Sequence, residues 1–131
     1  IDIVIDLMPT ATLRQAKSSG NLETFRASWI ADYPDAENYL SLFYSKNFSP
    51  RGPNYTHFSE AKFDKLYEET MKISDPVDRI ILSKKMDDLL MSSYPVIPLY
   101  YDQAIRFKRK NISGLEMNSI NLLNLKRVQK K

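Results

Sequence analysis

The sequence of 131 residues contains no cysteine, one histidine and three glycines. Without cysteine the chain can form neither a disulfide framework nor a thiolate centre, although this leaves its compartment open. His57 alone cannot supply a two-histidine metal site or a conventional serine triad. Gly20, Gly52 and Gly114 cannot form a glycine-rich phosphate loop. Catalysis is therefore the less favoured interpretation, and we expect no catalytic residue, no metal ligand and no cofactor.

Long apolar runs are also missing, since no stretch reaches the ~18 residues that suggest a membrane-spanning helix. The only adjacent acids that suggest paired carboxylates are Asp87–Asp88 and Glu68–Glu69. Neighbouring positions on a helix diverge by ~100°, so neither pair can share a substrate. Hydrophobic residues make up 43% of the chain and charged residues 27%. These values are typical of a globular protein with one core.

The charge is modestly basic, with a formal net charge of +3 and a sequence pI near 9.1. Part of the excess comes from residues 106–110 and 126–131. Recognition of nucleic acid would need such a stripe to be joined to stacking aromatic residues or a known motif. The 16 acidic residues are spread along the whole chain. We therefore interpret the basic clusters as solvated surface and expect no nucleic-acid partner.

The N-terminal third predicts an α/β fold. Apolar residues alternate over residues 1–8, which is the period of a strand, and the chain begins inside this run, as expected of a piece of a longer protein. A short helix is expected with Thr10 as its cap and Gly20 as its stop, followed by a second strand over residues 23–30. This order predicts a right-handed βαβ unit with parallel strands. Ligands of open α/β sheets lie beyond the carboxyl ends of such strands, which here is residues 29–35.

The middle of the chain predicts three helices. Asp35 is placed to cap a short one, Ser59 a second, and Asp75–Pro76 opens the longest. The longest helix should end at Tyr94–Pro95. Its predicted buried face consists of Val77, Ile80, Ile81, the stem of Lys84, Met86, Leu89 and Leu90.

The C-terminal part is strand-like over residues 96–107, where Pro98 favours an edge or a bulge. The tail after Gly114 carries Leu122, Leu123, Leu125 and Val128, with little partner sequence of its own. We expect this apolar tail to be loose in an isolated chain or to pack against another copy.

The segment from Phe25 to Asp35 is the most informative about function. Alternation directs Arg26 and Ser28 to one side of the predicted strand and Trp29 to the other, with Asp32 past its end. Arginine can hold a carboxylate through two hydrogen bonds, and aspartate can pair with an ammonium group. A zwitterionic peptide offers both groups. The alternative, that Arg26 and Asp32 pair with each other or with neighbours while Trp29 fills the core, stays open.

Several motifs follow one another in order along the chain. They are Trp29–Asp35 with Asn38–Leu40, then Asn54, Phe63–Leu66, Asp78–Arg79, Tyr94–Tyr101 and Gly114. In these motifs, and over residues 1 to about 128, the sequence resembles the family 5 extracellular solute-binding proteins, which include dipeptide- and oligopeptide-binding proteins of bacterial ABC importers. Family members are several times longer, so this chain would correspond to their C-terminal part. Two departures, Ala36 after Asp35 and Asp102 after Tyr101, leave ligand specificity open.

The resemblance implies a two-lobed periplasmic-binding-protein fold of type II, a Venus flytrap that closes on its ligand. Residues 1–110 would form part of the second lobe, and the tail 111–131 would return to the first. Asp32 would hold the amino terminus of a peptide, and Arg26 would meet a carboxylate. Trp29 would line a side-chain pocket, while the backbone around Ser28 and Ile30 would pair with the peptide as an added strand.

Asn54, in the turn-rich loop, is a further candidate for the rim of the cleft. The implied function is capture of peptides for an ABC importer without catalysis, with the membrane permease as partner. The implied location is the periplasm or the cell surface, and the protein would be attached by a lipid anchor or free. Alternatives are the same fold binding an oligosaccharide, nickel or haem, or an enzyme or interaction domain built on this fold.

Overall fold

The computed structural model describes residues 2–118 and 121–131. Within these ranges the regular elements are four helices, two short 3₁₀ segments and two strands. The helices are α1 (Thr10–Ser18), α2 (Glu37–Leu40), α3 (Ala61–Thr70) and α4 (Pro76–Ser93), the 3₁₀ segments are Ser41–Phe43 and Ser45–Asn47, and the strands are β1 (Ile112–Ser113) and β2 (Gln129–Lys130). None of the helices in these ranges is both long and apolar enough to span a bilayer.

The longest helix begins and ends where the sequence predicts. Asp75 Oδ1 accepts hydrogen bonds from the main-chain N–H groups of Val77 at 2.8 Å and Asp78 at 3.1 Å. Pro76 occupies the first turn, where its missing N–H is not needed. Tyr94 ends α4 in a left-handed conformation with φ of 52°. Both predicted boundaries of this helix are therefore confirmed.

The other helix starts differ in detail from the predictions. The carboxylate of Asp35 accepts from the Glu37 N–H at 2.8 Å, so Asp35 bonds the first residue of α2 as predicted, although Ala36 is the residue that directly precedes the helix. At α3 the prediction of Ser59 is wrong, because Glu60 is the last extended residue and its carboxylate accepts from the Lys62 N–H. Thr10 lies inside α1, which has no side-chain cap.

The core lies where α3 packs against α4 beneath α2 and the first 3₁₀ segment. Its buried members are Leu40, Phe43, Phe63, Tyr67, Met86 and Leu90, of which Phe63 and Met86 are 0% exposed. The ring of Phe58 meets Phe43 and Phe63 edge to face, with centroid distances of 6.3 and 5.5 Å. Such aromatic pairs stabilise a core beyond the area they bury.

The buried face of α4 is narrower than predicted. It consists of Leu82, Met86 and Leu90, a stripe with a spacing of four residues. Val77, Ile80 and Ile81 are 64%, 68% and 49% exposed, so their predicted burial is wrong in this chain. These three exposed side chains lie outside the face of α4 that packs against α3 and α2.

The predicted βαβ unit is not formed by the described residues. The only sheet there is antiparallel, with Ile112 opposite Lys130 and Ser113 opposite Gln129. Residues 2–9, 23–30 and 96–107 form no strand, although a chain of mixed helix and sheet is confirmed. A strand needs a neighbour to complete its hydrogen-bond ladder, and these segments have none within the described chain.

Candidate functional site

The segment predicted to contact a ligand connects α1 to α2. Over residues 22–31 it makes no main-chain hydrogen bond to the main chain of other described residues. Arg26, Ser28 and Ile30 are exposed, and Ile30 retains 66% of its accessible surface. The segment thus presents free N–H and C=O groups, which is the requirement for pairing with an added strand.

Trp29 and Asp32 are both attached to the buried side chain of Asn38. The indole Nε1–H of Trp29 donates to Asn38 Oδ1 at 2.7 Å. The main-chain N–H of Asp32 donates to the same oxygen at a longer 3.4 Å. Asn38 is 4% exposed, whereas Trp29 is 39% exposed. The indole is therefore fixed at its polar end and open to solvent over part of its ring, so it does not fill the core.

The two charged candidates do not pair with each other. The described residues form two ion pairs, Lys46–Glu68 and Arg79–Asp35, and neither includes Arg26 or Asp32. The guanidinium of Arg26 donates to the Tyr100 hydroxyl and lies 5.8 Å from the centre of that ring. Asp32 is exposed. An acid and a cation that do not neutralise each other are what a zwitterionic ligand requires.

Arg79 of α4 holds the end of the segment against the core. Its Nη2 donates to Asp35 Oδ2 at 2.7 Å, while Nη1 donates to the carbonyl oxygens of Thr70 at 2.9 Å and Ile73 at 3.3 Å. One guanidinium thus joins the end of α3, the start of α4 and the cap of α2. The planar guanidinium presents its two terminal NH₂ groups in fixed and different directions, so it can bind these separate acceptors at once, whereas a lysine has a single ammonium group.

Tyr33 and Tyr67 are joined through Glu37. Both hydroxyls donate to its carboxylate, one to each oxygen. The hydrogen bond to Glu37 raises the pKa of Tyr33 above 10.0. Burial, followed by the hydrogen bond to Glu37, raises the pKa of Tyr67. Both phenols therefore remain neutral donors at ordinary pH, and Glu37 links the segment to α3.

Asn54 is 0% exposed. Its Nδ2 donates to the carbonyl oxygens of Tyr44 at 3.1 Å and Phe58 at 3.0 Å. Its Oδ1 accepts from Thr56 Oγ1 at 3.0 Å. The side chain thus organises the turn-rich loop in this structure, and its contact with a ligand stays a prediction.

The remaining features do not indicate other chemistry. In the described ranges no group of three histidine, aspartate or glutamate side chains could hold a metal ion. A shallow depression of about 170 Å³ lies along α1, lined by Thr12, Gln15, Ala16, Ser19 and Asn21. None of these is a predicted ligand contact.

Reasoning from the sequence did not identify the roles of Asn38, Arg79 and Glu37, although Asn38 and Arg79 lie within the motifs that carry the resemblance. The available signal was a polar residue, Asn38, directly before the apolar residues Tyr39 and Leu40.

No family model matches the chain. Curated relatives do. The chain is 25% identical over 114 residues to the periplasmic oligopeptide-binding protein OppA of Salmonella typhimurium, and this alignment covers 87% of the chain and 20% of OppA. It is 30% identical over 99 residues to the glutathione-binding protein GsiB of Shigella dysenteriae, covering 75% and 19%. It is 25% identical over 117 residues to the probable deoxycholate-binding periplasmic protein YgiS of Escherichia coli, covering 89% and 21%.

These relatives are binding proteins, and their names place two of them in the periplasm. The class to which the chain is similar is thus that of solute-binding proteins. More particularly, the resemblance to the family 5 extracellular solute-binding proteins is confirmed, since oligopeptide-, dipeptide- and glutathione-binding proteins align along most of the chain. The chain spans about a fifth of the length of these relatives.

Proposed function

We propose that this chain is part of the substrate-binding component of an ABC importer that captures di- or oligopeptides without catalysis. The observation that carries the proposal is the segment over residues 22–35. Over residues 22–31 its main chain makes no hydrogen bond to other described main chain, and Asp32 is exposed and outside the described ion pairs. The Trp29 indole is hydrogen-bonded at its N–H, while part of its ring is open to solvent. The similarity to peptide- and glutathione-binding proteins supports it.

Each predicted contact has a distinct role. Asp32 would bind the amino terminus of the peptide, and Arg26 would meet a carboxylate by exchanging its contact with Tyr100. Trp29 would form the wall of a side-chain pocket. The main chain at Ser28 and Ile30 would pair with the peptide regardless of its side chains, because main-chain hydrogen bonds do not read sequence. Asn54 would stabilise the loop at the rim.

The proposed organisation follows from the same similarity. Residues 1–110 would be part of the second lobe of a Venus-flytrap fold, and residues 111–131 would return to the first. The exposed apolar side chains of residues 2–8 and of the free face of α4 support this, because they are surfaces that further chain would cover. The partner would be the membrane permease, and the location would be the periplasm or the cell surface, with or without a lipid anchor.

The test uses the full-length protein, trialanine and N-acetyl-trialanine. Asp32→Ala should weaken binding of trialanine by about 2–5 kcal/mol, because it leaves an ammonium group unpaired in a closed cleft. Asp87→Asn, which removes an exposed acid of α4, is the matched control and should leave the affinity unchanged. Calorimetry measures both. Equal affinity of the wild-type protein for the free and acetylated peptides would refute the role of Asp32.

A second candidate is the same binding role with another solute. The relative named for deoxycholate carries this alternative, since its alignment is as long as those of the peptide-binding proteins. An oligosaccharide, nickel or haem would belong to the same alternative. Native mass spectrometry of the full-length protein as purified separates the two, because a retained ligand reveals its mass. A retained bile acid, sugar, metal or haem in place of a peptide would contradict the peptide assignment.

The chain alone should bind peptides only weakly, with a dissociation constant of about 1 mM or higher. A ligand site usually encloses roughly 70–90% of its ligand, and one wall of the proposed cleft lies outside these residues. The tail with Leu122, Leu123 and Leu125, which are 59%, 62% and 59% exposed, should be loose or pack against another copy. Calorimetry and light scattering test both points. Micromolar binding by a strict monomer would show that the cleft is misplaced.

A further inference from the structure

The buried amide of Asn38 connects the two most important residues of the proposed site. Its Oδ1 accepts from the Trp29 indole at 2.7 Å and from the Asp32 main chain at 3.4 Å. A buried polar side chain is costly unless it is hydrogen-bonded, and an apolar residue could fill the same position. The two hydrogen bonds of Asn38 Oδ1 that compensate this cost both come from the segment, one from Trp29 and one from Asp32, and none comes from a core residue.

We propose that Asn38 is the positioning residue of this segment, which sets the separation between the aromatic wall at Trp29 and the acid at Asp32. The inference rests on the proposed function for its consequence but not for its geometry. One acceptor oxygen with two lone pairs can serve both donors only when each donor approaches along one of the two lone-pair directions. The indole and the turn at Asp32 are therefore held relative to each other through a single atom.

The position of Asn38 Oδ1 is fixed by the packing of α2 against the core. Asn38 lies in α2 beside Leu40, which is buried against α3 and α4. The cap of the same helix, Asp35, is tied to Arg79 of α4. Over residues 22–31 the main chain makes no hydrogen bond to other described main chain, so side-chain contacts such as these hold the segment in place. Holding a site in its binding geometry before the ligand arrives lowers the entropy lost on binding.

The direct test observes the indole N–H of Trp29 by NMR, which gives one signal because the chain has one tryptophan. Asn38→Leu removes the acceptor and should shift this resonance and speed its exchange with water by roughly fivefold or more. Asn38→Asp keeps an acceptor oxygen and should retain most of the protection. Thr70→Val is the matched control, because it removes another hydrogen bond from a buried polar residue, Thr70 Oγ1 to Leu66 O at 2.8 Å.

An unchanged indole signal in Asn38→Leu would overturn the proposal. An equal change in Thr70→Val would do the same, because the effect would then reflect general loosening of the fold. These readings need no ligand, so they stand even if the proposed function fails.

The consequence is tested with trialanine on the full-length protein. Asn38→Leu should lower its affinity at least tenfold, with partial recovery in Asn38→Asp. A freed indole with unchanged trialanine affinity would refute the positioning role. If the wild-type protein itself does not bind trialanine, the peptide assignment fails and the indole measurement alone decides the inference.

Discussion

The helices α2 to α4 and the segments on either side of them differ in how their apolar residues are used. All buried residues of the described chain lie within residues 37–93, which we call the helical block. In the flanking segments large apolar side chains face solvent, with Ile3 82%, Tyr101 99% and Phe107 95% exposed. The block buries part of its apolar side chains, although Val77, Ile80 and Ile81 of α4 stay exposed, whereas the described flanks bury none of theirs.

The candidate site lies on the boundary between these regions. Trp29, Tyr33 and Asp35 are each bonded to the helical block, through Asn38, Glu37 and Arg79 respectively. Arg26, in contrast, is bonded to Tyr100 of the other flank. The position of the half of the segment nearest α2 is therefore fixed by contacts with the block, whereas the half nearest α1 is held by a contact with the C-terminal flank.

The largest expected effect separates two phenylalanines. Phe63→Ala empties a side-chain position in the block that is 0% exposed and should lower the free energy of unfolding by about 3–5 kcal/mol. Phe107→Ala, at a position 95% exposed, should change it by less than about 0.5 kcal/mol. Urea unfolding followed by circular dichroism measures both. Comparable losses would mean that the flanks contribute to the core of this chain.

The same contrast explains which features the sequence could predict. Helix ends depend on local residues, so Asp75–Pro76, Tyr94 and Asp35 were sufficient to predict α4 and the start of α2. Strand formation depends on distant partners, so the alternating pattern produced no strand over residues 2–8, and Ile1 lies outside the described residues. Which apolar residues of α4 are buried likewise depended on its packing against α3 and α2.

The site was predictable only as a segment. Residue types and order indicated Arg26, Trp29 and Asp32, but not which atoms would fix them. The contacts that do so join residues 9 and 44 positions apart, between Trp29 and Asn38 and between Asp35 and Arg79. Such pairings require the tertiary structure, because each partner has several equivalent candidates along the chain.

An intermediate effect is expected at the link between the block and the segment. Arg79→Met removes the bonds to Asp35, Thr70 and Ile73 and should cost about 1–2 kcal/mol of stability. The value is reduced from that of a buried charged hydrogen bond because the Arg79 and Asp35 side chains are 23% and 37% exposed. Arg51→Met, at an exposed arginine outside the two ion pairs, is the control. Urea unfolding of the two variants gives the comparison, and equal midpoints would contradict the proposed link.

The smallest effect concerns an ion pair on the surface of the block and appears as a dependence on pH. Glu68 accepts hydrogen bonds from Lys46 Nζ and the Tyr44 hydroxyl, each at 2.6 Å. The bond from Lys46, followed by that from Tyr44, lowers the pKa of Glu68 below its ordinary value of 4.5. A carboxyl whose pKa is lower in the folded chain stabilises the fold above its ordinary pKa, and this contribution is lost as the pH falls through the folded pKa. The hydrogen bond to Glu68 raises the pKa of Lys46, so the contribution of Lys46 to stability is present below pH 10.5 and is lost only at higher pH.

The test compares urea midpoints at about pH 6.5 and about pH 3. The difference between the two midpoints should be larger in the wild type than in Glu68→Gln, because the variant has no Glu68 carboxylate to protonate on acidification. Glu69→Gln changes the net charge equally at an exposed neighbour outside the two ion pairs, so it should follow the wild type. Identical acid sensitivity in the two glutamine variants would show that the pair is fully screened by solvent and that only net charge matters at this surface.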